Sequence, residues 1–118
     1  MRFFMPDFEH LNAQDFHHVL EASRGVCVVF FTHSLCTSCR AWKQLLQAYR
    51  EDRPGVRIFE VDAEVEMALT HEFEIFHLPA LFLYHDGRYH APLQAEASLA
   101  ALHATITALL DEPARDMP

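Results

Sequence analysis

The sequence predicts an α/β fold in which a central mixed sheet of four to five strands is flanked by about four helices. Apolar segments of strand length alternate with amphipathic segments of helix length, in the order β-α-β-α-β-α-β-β-α. Strands that a helix connects are parallel, whereas an Asp-Gly turn at 86–87 joins the last two strands into an antiparallel hairpin. The sheet is therefore expected to be mixed.

The first half of the chain supplies the strand expected at the centre of the sheet. Residues 26–32 are almost uniformly apolar, which is typical of a strand covered on both faces. Upstream, Asn12 is expected to cap a helix with Asp15 as its partner. The elements predicted up to residue 62 are a strand over 8–11, a helix between 12 and 23, strands over 26–32 and 56–62, and a helix over 37–51 between those two strands.

The second half closes the sheet with the hairpin. Pro92 cannot donate a backbone hydrogen bond, so the last strand is expected at an edge. The predicted elements are a helix over 63–73, strands over 80–84 and 88–93, and a final helix whose apolar stripe runs from 99 to 110. Residues 1–118 are expected to form a single domain, with its core at about 8–110 and a flexible tail at 111–118.

Composition and charge narrow the classes of function. Nine Lys and Arg against 17 Asp and Glu give a net charge of −8, which disfavours binding to nucleic acid or to an anionic membrane. No stretch reaches the roughly 20 apolar residues of a membrane span, and residues 1–7 lack the apolar segment of a signal peptide. A monomeric protein of the cytoplasm is therefore expected.

The most informative motif is a pair of cysteines with two residues between them. Cys36-Thr37-Ser38-Cys39 falls where the apolar strand ends and the next helix begins. That position sets the first sulfur over the free N–H groups of a helix N-terminus, which stabilise the reactive thiolate. Cys36 is therefore the predicted nucleophile, and Cys39 the thiol that resolves a mixed disulfide. Cys27, inside the apolar strand, is interpreted as a small hydrophobic core residue.

The chain resembles the thioredoxin family over about residues 8–110. The resemblance rests on the strand before the cysteines, the helix behind them, and three segments that carry the family's motifs. Those segments are Cys36-Thr37-Ser38-Cys39, Val61-Asp62-Ala63 and Leu78-Pro79-Ala80-Leu81-Phe82. The resemblance implies a cis Leu78–Pro79 peptide bond that faces the cysteines. The backbone of Leu78 would then be free to pair with an extended substrate strand beside Cys36.

Several positions depart from the family's pattern. Leu35 stands where thioredoxins carry Trp, and Thr37-Ser38 replaces their Gly-Pro. Phe30 occupies the place of a buried Asp, and Glu60 the place of the Lys that accompanies it. These departures indicate a divergent thioredoxin-like protein whose partner is more restricted than those of the family's general reductants.

Glu60 is the candidate base for Cys39. Its alignment with the inward Lys of the family implies a side chain that approaches the cysteines. A buried carboxylate without a partner holds its proton more readily than an exposed one, which suits a proton acceptor near neutrality. The alternative is that Glu60 bends out to water.

Residues around the motif are candidates for binding the substrate or for tuning the sulfur. His33 and His77 are the tuning candidates, the alternatives being a solvent-facing loop residue and a packing residue. Thr37 and Ser38 offer hydroxyl and N–H groups, or serve only as first-turn residues of the helix. The candidate substrate-binding residues are Leu35, Thr37, Ser38, Leu78 and Pro79, and Phe76 extends the same apolar surface.

Nine histidines raise the question of a metal site. None pairs with another at the spacing that would put two imidazoles on one helix face, and one Cys-x-x-Cys is only half of a zinc site. The sequence therefore predicts no metal and no cofactor beyond the Cys36–Cys39 pair.

Two functions remain in question. One is thiol–disulfide oxidoreductase, an enzyme of the protein-disulfide-reductase type in cell redox homeostasis, with protein thiols or disulfides and an upstream reductase or oxidant as partners. The other is a binding or assembly module that keeps the fold and a vestigial dithiol. The retained cysteines and Pro79 favour the first function, whereas the lost Trp, Asp and Gly-Pro favour the second.

Overall fold

The computed structural model describes residues 8–118. The strands are β1 (Glu9–His10), β2 (Val26–Thr32), β3 (Arg57–Asp62), β4 (Ala80–His85) and β5 (Arg88–Pro92). The helices are α1 (Phe16–Ala22), α2 (Thr37–Asp52), α3 (Met67–Glu72) and α4 (Leu99–Leu110). The strands form one five-stranded mixed sheet in the order β1-β3-β2-β4-β5, which confirms the predicted fold class. Residues 1–7, where no signal peptide is expected, lie outside the described residues.

β2 lies in the middle of the sheet because its side chains are apolar on both faces. It pairs in parallel with β3 and antiparallel with β4, so both of its edges are covered. Val28 and Phe30 point to one face, where they pack with α2 and α4. Cys27, Val29 and Phe31 point to the other face, where they pack with α1 and α3. Burial on both faces explains why this strand lacks alternating polar residues.

The predicted capping pair, Asn12 and Asp15, lies in the turn that precedes α1 and does not cap the helix itself. The Asp15 carboxylate accepts a hydrogen bond from the backbone N–H of Asn12 at 2.8 Å. The side-chain carbonyl of Asn12 accepts from the N–H groups of Gln14 and Asp15 at 2.9 and 3.0 Å. These reciprocal bonds hold residues 12–15 in a turn. The N-cap of α1 is Asp15, whose side chain makes no capping hydrogen bond, and the helix begins at Phe16, so the prediction of Asn12 as the N-cap is wrong.

α3 is shorter than the helix predicted over 63–73, and that prediction is wrong at its start. The structure has a helix only over Met67–Glu72. The Asp62 carboxylate accepts hydrogen bonds from the backbone N–H groups of Glu64 and Val65 at 3.0 and 3.1 Å, and it thereby holds the preceding segment in a turn. An Asp side chain that bonds its own backbone competes with helix formation.

The β4–β5 hairpin turns at Asp86 and Gly87, whose φ angles of 52° and 86° are both positive. Two positive φ angles define the type I′ turn, whose twist suits a two-residue hairpin. β5 is an edge strand, as Pro92 predicts. Beyond α4, the backbone N–H of Arg115 donates to the carbonyl of His90 at 2.7 Å, so the chain returns to β5.

Candidate active site

The cysteine motif occupies the junction between β2 and α2. Cys36 caps α2, and its sulfur accepts a hydrogen bond from the backbone N–H of Cys39 at 3.2 Å. The backbone N–H of Cys36 donates to the carbonyl of His33 at 3.1 Å, which closes the loop after β2. The outer sulfur therefore lies where the helix dipole and the first-turn amides favour negative charge.

Cys36 and Cys39 are joined in a disulfide, with their Cα atoms 5.2 Å apart. Cys36 is half-buried, whereas Cys39 is only 2% exposed. A partner's sulfur can approach the outer cysteine from solvent, but it cannot reach the inner one in this fold. The difference in burial agrees with an outer attacking sulfur and an inner resolving sulfur.

The Leu78–Pro79 peptide bond is cis, as the resemblance implies. β4 begins at the next residue, Ala80, which pairs with Phe31 near the end of β2. This register brings Pro79 to the end of the sheet from which the cysteine loop departs. Leu78 is half-buried and packs against the apolar clusters on both faces of the sheet.

Exposed apolar side chains lie in the segments that adjoin the motif. Leu35 and Phe76 are 83% and 86% exposed, a large exposure for bulky apolar residues. Phe76 borders a cavity of about 380 Å³ between the cysteine loop, the start of α3 and the segment before Pro79. Its lining also includes His33, Ala63, Glu64, Met67, Ile75 and Leu78. Exposed apolar surface of this kind marks places where another molecule can dock.

Glu60 points into the protein, and its side chain is 9% exposed. The ammonium of Lys43 on α2 lies 3.2 Å from the Oε1 atom of Glu60, and Nε2 of His10 lies 3.6 Å from the same atom. The alternative of a side chain that bends out to water is therefore wrong. The expectation of a carboxylate without a partner is also wrong, because an ammonium from another element reaches it.

Lys43 is the candidate residue that the sequence analysis missed. It is the only lysine in the chain, and it follows Cys39 by one helical turn, which puts both on one face of α2. The feature of the sequence that could have identified Lys43 is its position, as a single lysine on the helix face that carries Cys39. Its contact with Glu60 joins α2 to β3, and no spacing of residues along the sequence predicts that contact.

Cys39, Lys43 and Glu60 line one polar cavity of about 240 Å³. The other lining residues are His10, Thr32, His33, Ser34, Arg40 and Asp62. The inner sulfur is thus bordered by a carboxylate, an ammonium and imidazoles rather than by apolar side chains alone. Cys39 therefore shares a cavity with polar side chains that can exchange protons.

The remaining candidates differ in their contacts. Nε2 of His33 lies 3.3 Å from a carboxylate oxygen of Glu64, and its side chain is 21% exposed, so it is held rather than free in solvent. The hydroxyl of Ser38 lies 4.0 Å from the outer cysteine sulfur. Thr37 and His77 are exposed, and no described contact joins either of them to the sulfurs.

Cys27 is a core residue, as its place in β2 predicts. It is 1% exposed, and burial raises the pKa of its thiol. A buried thiol with a raised pKa is poor in thiolate, so it is unsuited to thiol–disulfide exchange.

Residues 8–118 contain neither a candidate metal site nor a candidate membrane-spanning helix. No group of three or more His, Cys, Asp or Glu side chains in that range is arranged to hold a metal ion. None of the helices found there is long and apolar enough to span a membrane.

Known proteins resemble this chain in sequence and in fold. The Thioredoxin family profile matches residues 7–108. "Thioredoxin Asp f 28" of Aspergillus fumigatus is 33% identical over 66 residues, which cover 56% of this chain and 61% of that protein. The match therefore spans less than two thirds of that relative's length.

Two solved structures show the shared fold. Thioredoxin f2 of Chlamydomonas reinhardtii superposes with a TM-score of 0.75 at 23% identity, over 86% of this chain and 94% of that one. Thioredoxin from Trypanosoma brucei brucei superposes with a TM-score of 0.74 at 16% identity, over 95% and 98% of the two chains. Together with the Cys36–Cys39 disulfide, the family match supports the predicted thiol–disulfide oxidoreductase class. The chain belongs to the thioredoxin family.

Proposed function

We propose that this protein is a thiol–disulfide oxidoreductase that exchanges disulfides with protein partners through Cys36 and Cys39. The observation that carries the proposal is the disulfide at the start of α2, with one half-buried and one buried sulfur. A dithiol at a helix N-terminus combines an activated thiolate with a second thiol close enough to displace a bound partner.

The reaction proceeds in two exchanges. The Cys36 thiolate attacks a disulfide of the partner, and one partner sulfur leaves as a thiolate. The Cys39 thiolate then attacks the Cys36 sulfur, so the intramolecular disulfide forms while the bond to the partner breaks. The partner gains two electrons and two protons, and the dithiol is oxidised. An upstream dithiol reductase restores it, and no cofactor beyond the two sulfurs takes part.

Glu60 accepts the proton of Cys39 in this scheme. Both residues line the same polar cavity, and the buried carboxylate projects from β3 toward Lys43 of α2. A carboxylate that shares a cavity with a buried thiol can take up its proton directly or through water. His33 and His77 adjust the reactivity of Cys36 in the proposal, His33 through its contact with Glu64.

The partner's cysteine segment docks on the apolar surface around the motif. Leu35, Leu78 and Phe76 supply the apolar contacts, and the extended segment runs beside Pro79. Thr37 and Ser38 are exposed between the two cysteines, and they present hydroxyl groups to the docked segment where a proline would present none. We further propose a cytoplasmic monomer that binds neither nucleic acid nor membrane, in keeping with its net charge of −8.

A redox titration tests the proposal. We expect Cys36 and Cys39 to interconvert between dithiol and disulfide in glutathione buffers, with a potential between about −120 and −270 mV, and the protein to reduce insulin. Cys39→Ser should trap partners as mixed disulfides on Cys36, and Cys36→Ser should trap none. A pair that does not interconvert in these buffers would overturn the proposal and leave the binding-module alternative.

A further inference from the structure

The segment that follows α4 lies back against the edge of the sheet. The backbone N–H of Arg115 donates to the carbonyl of His90 on β5 at 2.7 Å. β5 is an edge strand, and the outer side of such a strand presents backbone groups to which another chain can pair. Residues 113–118, here called the strap, therefore cover part of an edge that is otherwise open to a partner.

His90 is suited to hold the strap because the pairing of β5 with β4 is interrupted there. The register shifts by one residue between Leu83 and Tyr84 of β4, and this shift leaves His90 without a pairing partner in β4. The His90 side chain is buried, and its Nε2 atom donates to the carbonyl of Leu109 in the last turn of α4. His90 thus holds the end of α4 through its imidazole and the strap through its carbonyl.

The far end of the strap reaches a cavity beside Pro79. This cavity of about 370 Å³ has one wall from the segment between α3 and β4, which includes Phe76 and Pro79. Leu93 and Gln94, which follow β5, form another wall, and Pro118 of the strap also borders the cavity. The partner segment of the proposed function runs beside Pro79, so Pro118 borders the space that this segment would enter.

We propose that the strap is an autoinhibitory contact, which competes with a partner's cysteine segment for the cavity beside Pro79 and leaves the dithiol itself accessible. The inference rests on the proposed function. Of the described residues, Cys36 is not among those that line this cavity. A small disulfide, which makes no use of the cavity, therefore reacts at the same rate whether the strap is fastened or released. A protein disulfide has to displace the strap.

The strap is held weakly enough to be displaced. Residues 113–118 are all exposed, and within the described range Arg115 provides their one backbone hydrogen bond to the rest of the chain. The ion pair of Arg115 with Glu112, at 3.6 Å, is exposed to solvent and adds little. One hydrogen bond favours the fastened state about fivefold, so about one molecule in six has an open cavity before a partner arrives.

Two variants of one residue test the competition. Arg115→Pro removes the N–H that fastens the strap, whereas Arg115→Ala keeps it. We expect KM for insulin to fall about threefold in Arg115→Pro, because a larger fraction of the protein is open to a partner. Its kcat and its rate with dithiobis(nitrobenzoate) should stay unchanged, and Arg115→Ala should follow the wild type. An unchanged or higher KM in Arg115→Pro, or an equal fall in Arg115→Ala, would overturn the inference.

Amide hydrogen exchange at Arg115 reports on the strap directly. In Cys39→Ser, Cys36 can be held in a mixed disulfide either with an extended peptide that has one central cysteine or with thionitrobenzoate. We expect the Arg115 amide to exchange about fivefold faster in the peptide adduct, and at the rate of the free protein in the thionitrobenzoate adduct. Equal rates in the two adducts would overturn the inference. If Cys36 forms a mixed disulfide with neither thiol, the proposed function fails instead.

Discussion

Phe30 of β2 lies directly beside Glu60 of β3 in the parallel register of the sheet. Neighbours in register project to the same face, so both side chains lie on the side that α2 covers and that buries Cys39. An aromatic ring thus occupies the position at which the family's pattern has a carboxylate. The carboxylate stands on the neighbouring strand instead, where the ammonium of Lys43 reaches it at 3.2 Å.

Phe30→Ala should destabilise the protein strongly. The ring is 0% exposed, and its removal leaves a cavity between the sheet and α2 that the packed core cannot close. We expect the free energy of unfolding in guanidinium to fall by about 3–5 kcal/mol. Leu35→Ala, at a residue that is 83% exposed, should change it by less than about 0.5 kcal/mol. Equal losses in the two variants would contradict the burial described for Phe30.

Gly87→Ala should destabilise the hairpin and its contact with α1. A Cβ atom at Gly87 would lie 2.5 Å from the carbonyl oxygen of Glu21 and 2.7 Å from a guanidinium nitrogen of Arg24, and φ there is +86°. We expect a loss of roughly 1–3 kcal/mol, measured by thermal or denaturant unfolding. The matched control is Gly55→Ala, because nothing lies within 4 Å of a Cβ atom there. Unfolding midpoints that coincide for the two variants would count against this hairpin geometry.

Glu74→Gly should stabilise the end of α3. Glu74 adopts a positive φ of 54°, while its backbone N–H donates to the carbonyl of His71 and the N–H of Ile75 donates to that of Thr70. This pair of bonds is the Schellman motif, in which glycine is favoured at the left-handed position. We expect a gain of roughly 1 kcal/mol in unfolding free energy. Ala68→Gly, inside α3, should cost a similar amount, and a loss in both variants would contradict the argument.

Leu35→Ser combined with Phe76→Ser should impair exchange with proteins more than with small disulfides. The two side chains are exposed in the free protein and would be buried by a docked segment. We expect KM for insulin to rise about tenfold, while the rate with dithiobis(nitrobenzoate) stays unchanged. Met117→Ser changes an exposed apolar residue of the C-terminal tail and should affect neither substrate. A parallel loss on both substrates would indicate damage to the dithiol rather than to docking.

Cys27 should make the stability of the oxidised protein fall at alkaline pH. Burial raises the pKa of its thiol above the ordinary 9.0, so the folded state keeps a proton that the unfolded state releases. The unfolded state then binds fewer protons, and the unfolding free energy declines as pH rises above about 9, by up to about 1.4 kcal/mol per unit. Tyr49, Tyr84 and Tyr89, whose pKa values burial also raises, add a decline of the same sign at higher pH.

Denaturant unfolding of the wild type and Cys27→Ala between about pH 7 and 10 measures this contribution. The variant should show the shallower decline between about pH 9 and 10, whatever its stability at pH 7. Parallel curves for the two proteins would mean that the thiol does not titrate differently on folding.

The elements that could be predicted from the sequence are those whose causes are local. The apolar run at 26–32 specifies a strand buried on both faces, and the turn at Asp86 and Gly87 specifies a tight hairpin. The start of α3 was mispredicted because one side chain decides it. Asp62 accepts hydrogen bonds from two backbone N–H groups and so delays the start of the helix. The apolar spacing that predicts a helix over 63–73 carries no information about those two bonds.

The place of the dithiol follows from local pattern, because the strand that ends before Cys36 and the helix that begins after it are both set by neighbours along the chain. The cation that meets Glu60 is instead set by the way the elements pack. The pairing with Lys43 requires α2 to lie across β3 at one particular rotation and register. Long charged side chains have many rotamers of similar energy, so the packed elements select the contact, and no periodicity in the sequence encodes it.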